Sequence, residues 1–126
     1  RRAKVAAVAN MIPNQEVIGD LEGDLLIVSW GGTYGHTLSA TRALRKEGKR
    51  VSLCHISYIN PLPKNLAQIF SRFSMILVCE LNLGMMANYL RMNLQQFTYN
   101  QLNKVQGQPF IVAEIVEKAN ELLKSK

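Results

Sequence analysis

Three stretches of the chain, DLLIVSW (24–30), KRVSLCHISY (49–58) and SMILVCE (74–80), carry apolar runs without a regular polar alternation. A strand with one face in water alternates apolar and polar residues, whereas a strand covered on both faces has no polar side to show. Three such runs in one short chain require a sheet with layers on both sides. The segments between them supply those layers. HTLSATRALRKEG (36–48) has helical spacing, with Thr37, Ala40, Thr41 and Leu44 on one face and Gly48 as its stop. NPLPKNLAQIFSRF predicts a turn and then a helix, with Pro63 suited to the helix start. GMMANYLRMNL (84–94) predicts a helix and QFTYNQL (96–102) a fourth strand. The closing FIVAEIVEKANELLKSK predicts a helix whose apolar face is Ile111, Ile115, Ala119, Leu122 and Leu123. Before the first run, residues 1–12 predict a short helix ending at Pro13, and QEVIGD (15–20) an edge strand.

Strands alternating with helices imply an α/β fold with a mostly parallel sheet. Right-handed crossovers then bring every strand-to-helix loop to the same sheet edge. Those loops are GGTYGH, SYINPLP, ELNLG and NKVQGQPF. The 126 residues suit one domain. At that length roughly two-thirds of the unfolded chain's surface can be buried, so folding needs neither disulfide nor metal. The opening Arg1 suggests a fragment of a longer polypeptide: a helical lead-in over 1–14, then a single domain over 15–126. No apolar run nears the roughly 20 residues of a membrane span, and the start lacks a secretory signal's apolar core. A cytoplasmic chain without membrane contact is therefore expected.

Cys54 and Cys79 sit in separate apolar runs, as buried thiols do, and no C-x-x-C pair points to a cluster or zinc. His36 and His55 are too few and too far apart in sequence to suggest a metal site. Part of the +6 net charge is a stripe: Arg42, Arg45, Lys46 and Lys49 follow i, i+3, i+4, i+7 spacing. Such a face is either a solvated surface or a docking surface for an acidic partner. Nucleic acid is not expected, because no aromatic residues interleave with the basic ones.

The loop GGTYGHT raises the sharpest question. Gly31, Gly32 and Gly35 let the backbone turn tightly or approach another group, and the N–H groups opening the next helix favour an anion. The spacing matches neither G-x-G-x-x-G nor G-x-x-x-x-G-K-[ST]. Three readings stay open for Gly31, Gly32, Thr33, Tyr34, Gly35 and His36: a capped turn, a small-ligand contact, or a close domain interface. Glu80, at the end of its strand before LNLG, fits a cap for a neighbouring loop or a general acid or base. No nucleophile–base set or carboxylate pair can be assembled, so no catalytic and no metal-binding residue is assigned.

The segment GDLLIVSWGGTYGHTLSATRALRKEGKRVSLCHISYINPLPKNL closely resembles the C-terminal domain of the alpha subunit of 2-oxoacid:ferredoxin oxidoreductases, the 2-oxoglutarate enzyme above all. ILVCELNLGMMANYLRM and NKVQGQPF resemble the same family, so the likeness covers roughly residues 1–123. The broader pattern is similar to the transketolase C-terminal domain. It implies three α/β/α layers around a five-stranded, mostly parallel sheet with QEVIGD as its antiparallel edge. The family implies a parent complex that uses thiamine diphosphate, magnesium and an iron–sulfur cluster to decarboxylate a 2-oxoacid oxidatively, with coenzyme A and ferredoxin. The elements that hold those groups have no counterpart in this sequence, so none is expected to be bound by this domain. The resemblance implies a scaffold that packs against the rest of its alpha subunit and the beta subunit. It makes Glu80, Asn82, Gly84 and Lys104 interface or hydrogen-bonding residues beside the glycine turn. The stripe from Arg42 to Lys49 is then a solvated face or a dock for acidic ferredoxin. The competing expectations are a stand-alone module that holds a phosphate-bearing ligand such as coenzyme A at the strand C-terminal edge, and a complete small enzyme using Glu80, His36 and Lys104.

Overall fold

The computed structural model describes residues 11–81, 84–104 and 112–125. The three apolar runs form β1 (Gly23–Trp30), β2 (Val51–Ile56) and β3 (Phe73–Leu81), and β4 (Asn100–Lys104) completes a sheet of order β2-β1-β3-β4. All three pairings are parallel. The helices are α1 (Tyr34–Lys46), α2 (Leu66–Phe70), α3 (Met85–Asn93) and α4 (Val112–Lys124).

The period-2 geometry of β1 shows why its sequence has no polar side. Leu26 and Val28 face one buried cluster with Phe70, Met86 and Leu90 from α2 and α3. Leu25 and Ile27 face the other, with Ala40 and Leu44 from α1 and Ile115 and Ala119 from α4. The sheet is therefore covered on both faces, the three-layer α/β/α arrangement the sequence implies. Thr37 and Thr41 lie on the buried face of α1 and are fully satisfied locally. Thr37 Oγ1 donates to the Thr33 carbonyl at 3.0 Å and Thr41 Oγ1 to the Thr37 carbonyl at 2.8 Å.

Two expectations need correction. The described residues hold four strands rather than five, because the QEVIGD edge shrinks to one antiparallel bridge between Ile18 and Leu53. Both of its hydrogen bonds are made, at 2.8 and 2.9 Å. On one side, Gly19 turns the backbone at φ +111. On the other, the Gln15 side chain takes the free edge, its Nε2 donating to the His55 carbonyl at 2.8 Å where a strand amide would have paired. The fourth strand also starts later than QFTYNQL predicts. Phe97 and Tyr99 turn inward as edge-to-face partners of Phe70, with ring centroids 5.7 and 6.0 Å away, and Tyr99 donates to the Leu94 carbonyl at 2.7 Å. Aromatic packing there replaces strand pairing until Asn100. Residues 1–10 of the expected lead-in helix, Asn82, Ile111 and the loop after Lys104 lie outside the described residues. No described helix is long and apolar enough to cross a membrane.

The buried thiols lie on opposite faces of the sheet, Cys54 in one core cluster and Cys79 in the other. Burial pushes each thiol up to about 12, and at Cys79 the Glu80 charge adds to the effect. The thiolate is the reactive form. Native protein at pH 8 is therefore expected to give no fast reaction with a disulfide-exchange reagent, while unfolded protein releases both equivalents. Prompt reaction of either native thiol would show that its strand opens readily.

Candidate site at the strand C-terminal edge

Strand order reverses between β1 and β3, so the loops leaving those two strands flank one point of the sheet edge. The glycine turn leaves β1 through Trp30, which is extended at φ −158 and ψ 159, and enters a 3₁₀ turn, Gly31–Thr33. Gly31 has φ +64, a conformation that side chains rarely adopt. Thr33 is buried, and its Oγ1 donates to the Trp30 carbonyl at 3.0 Å, which closes the turn without capping α1.

Gly32 and Gly35 differ from Gly31. Neither has a positive φ, and a Cβ added at either would meet nothing within 4 Å. Gly35 also lies in the first turn of α1, where glycine costs up to ~1 kcal/mol relative to alanine. Among the described residues nothing requires either position to lack a side chain.

Glu80 forms the joint between the two loops. It ends β3 fully buried. Its Oε1 accepts from the Met86 amide at 2.7 Å and from Trp30 Nε1 at 3.3 Å, and its Oε2 accepts from the Ala87 amide at 3.0 Å. The first amides of a helix have no intrahelical acceptor, and here a side chain from the preceding strand supplies two. The chain reaches α3 through Gly84, at φ +85. A Cβ there would collide with Gln101 Nε2 and come within 3.3 Å of Asn103 Nδ2, both on β4. The start of α3 is thus held from two sides.

Lys104, paired in register with Leu81, sits next along the edge. Its Nζ donates to Glu114 Oε1 and Oε2 at 2.8 and 2.7 Å, tying β4 to α4. Glu80 and Lys104 are thus engaged in separate contacts, and His36 lies half-buried in the first turn of α1. On the other side of α1 the basic stripe is broken. Arg45 Nη1 donates to the Val51 carbonyl at 3.1 Å and lies 3.6 Å from Asp20, while Arg42, Lys46 and Lys49 remain exposed.

One constellation escaped the sequence reading. Ser29 and His55 are register partners on β1 and β2, and Ser29 Oγ lies 2.8 Å from His55 Nδ1. The imidazole packs against the Tyr34 ring with centroids 4.8 Å apart at 57°. Burial holds His55 below its ordinary pKa. The only signal in the sequence is a polar residue near the end of each apolar run, and without the strand register nothing shows that the two meet. Between these residues and the segment before β1 lies a cavity of about 450 Å³.

Among the described residues no cluster of three or more His, Cys, Asp or Glu side chains could hold a metal ion. The two cysteines face apart, so they cannot share a cluster.

The profile of pyruvate:ferredoxin oxidoreductase core domain II matches residues 23–115. The 2-oxoglutarate oxidoreductase subunit KorA of Mycobacterium tuberculosis is 36% identical over 118 residues, which is 91% of this chain and 17% of the relative. The chain thus spans about one-sixth of the length of that relative. A solved 2-oxoglutarate:ferredoxin oxidoreductase from Magnetococcus marinus, with 2-oxoglutarate, coenzyme A and succinyl-CoA bound, superposes with a TM-score of 0.84 at 23% identity, over 94% of this chain and 21% of that one. A split-gene transketolase, solved as an inactive beta4 tetramer, superposes at 0.68 and 16% identity, over 86% of this chain and 41% of that one. These two likenesses establish a shared fold.

Proposed function

The chain belongs to the pyruvate:ferredoxin oxidoreductase core domain II family, and from that membership we propose that it is the C-terminal interface domain of the alpha subunit of a 2-oxoglutarate:ferredoxin oxidoreductase. The whole enzyme decarboxylates a 2-oxoacid oxidatively with coenzyme A, yielding an acyl-CoA, CO₂ and reduced ferredoxin. Its thiamine diphosphate, magnesium and iron–sulfur cluster are held by other domains and by the beta subunit, in the cytoplasm. This domain fixes the position of its neighbours.

One observation carries the interface role. Gly32 and Gly35 are exposed, cost conformational entropy, and among the described residues have no reason to lack side chains. A glycine without an internal reason serves a close approach from outside. The turn that bears them is held to the α3 loop through the contact of Trp30 with Glu80, so the edge presents a fixed surface. Exposed Tyr34, Tyr58 and Met85 supply apolar area on the same edge.

The test uses the full-length subunit purified with its partner. Reduction of ferredoxin or a viologen dye is expected with 2-oxoglutarate, to require coenzyme A, and to be faster than with pyruvate. Absence of 2-oxoacid-dependent reduction from an intact complex overturns the proposal.

A further inference from the structure

The cavity beside the glycine turn has walls chosen for a particular kind of group. Ser29 is fully buried, and among the described contacts His55 Nδ1 is its side chain's partner. A buried hydroxyl that turned its proton elsewhere would leave it unpaired, at a cost comparable to a lost hydrogen bond. Ser29 therefore donates, Nδ1 accepts, and the neutral ring carries its hydrogen on Nε2. The lowered pKa of His55 agrees with a neutral ring.

His55, Tyr34, Ser57 and Tyr58 line the cavity on one side, and Glu16 lines it from the segment before β1. That segment is fixed in place. The Gln15 amide donates to Asn65 Oδ1 at 2.7 Å, and Asn65 Nδ2 returns a bond to the Gln15 carbonyl at 3.0 Å. The wall thus offers donors from an imidazole N–H and hydroxyls, and an acceptor from a carboxyl group. Among the described residues no Lys or Arg lines it, and Glu16 opposes an anion, so a phosphate or a free carboxylate fits poorly against them. A peptide main chain, which presents a carbonyl acceptor and an N–H donor at every residue, matches both kinds of wall. The tyrosine rings and Pro63 give its side chains apolar surface.

Resting on the interface reading above, we infer that this cavity seats an extended, uncharged loop of the polypeptide that covers the strand edge in the assembled enzyme, with a main-chain carbonyl accepting from His55 Nε2. The KorA relative has more than four-fifths of its length beyond the part this chain matches, ample polypeptide to supply such a loop. The open glycine turn continues the same surface through Tyr34.

Thiol labelling tests the seat in the full-length assembled protein; Cys54 and Cys79 are buried, and the parent assembly labelled alongside gives the background of all other thiols. Ser57→Cys is expected to react with a maleimide at least about tenfold more slowly in the assembly than in this chain alone, as burial under a partner requires. Met85→Cys reports whether the edge is covered at all, and Arg42→Cys on the outer stripe should react equally in both. Protection of Met85→Cys with free labelling of Ser57→Cys overturns the seat but leaves the interface standing. Free labelling of both overturns the two together. In the Ser57→Cys background, His55→Leu should raise labelling in the assembly about two- to tenfold, the worth of one hydrogen bond, while His55→Gln keeps a donor and retains protection. Equal labelling in all three backgrounds removes His55 from the assignment.

Discussion

Replacing Glu80 by alanine is expected to destabilise the chain by about 3–5 kcal/mol, and Glu80→Gln by about 1–3 kcal/mol. The alanine leaves the Met86 and Ala87 amides without their acceptor in a buried position, and each such orphan costs about 1–3 kcal/mol. Trp30 Nε1 loses its partner as well, and a void opens where the side chain lay. Glutamine keeps one oxygen, but its amide nitrogen faces a backbone N–H and cannot accept. Urea denaturation followed by fluorescence reads the effect directly, because Trp30 is the chain's single tryptophan and sits at the joint. A midpoint for Glu80→Ala within the range of a surface substitution would show that other groups satisfy the α3 amides. It would also remove the link between the two loops on which a fixed edge depends.

Gly32→Phe should separate folding from assembly. Its Cβ has open space around it and its φ is ordinary, so the isolated variant is expected to unfold at the same urea midpoint as the parent. In the full-length complex the phenyl ring would occupy space that a partner's backbone needs, and turnover should fall at least about a hundredfold, equivalent to losing one strong contact at an interface centre. Gly35→Ala gives a subtler version. It should stabilise the isolated chain by up to ~1 kcal/mol, since alanine suits a helix better, yet weaken the assembled enzyme. A substitution that helps the domain and harms the complex is the signature of a residue kept for a partner. Unchanged turnover for Gly32→Phe would mean that the turn faces solvent in the enzyme.

The parts of this fold that could be read from the sequence were those fixed by burial. The apolar runs around Leu26, Leu53 and Leu77 can only be strands covered on two sides, and the small residues Ala40 and Thr41 can only face a sheet closely. Elements governed by single contacts were harder. The 15–20 segment has strand composition, but Gly19 and the Gln15 side chain decide its fate, and neither effect has a period. Phe97 and Tyr99 look like strand residues until Phe70 is placed beneath them.

The candidate site divides in the same way. Glycines in a loop after a strand are visible in any sequence, and so is a glutamate at the end of a strand. That Glu80 reaches across to α3 and to Trp30 follows from the β1–β3 pairing. That Ser29 meets His55 follows from the β1–β2 register, and a shift by one residue would put them on opposite faces. The turn's openness at Gly32 and Gly35 is a property of space around the chain, which no local pattern encodes.

The most direct measurement of the central claim is calorimetric titration of this folded chain with coenzyme A, and separately with thiamine diphosphate and magnesium. An interface domain whose chemistry lies on its neighbours should give no saturable heat with either. Saturable micromolar binding of one of them, weakened by Gly32→Phe, would contradict the account and make the glycine turn a ligand site in its own right.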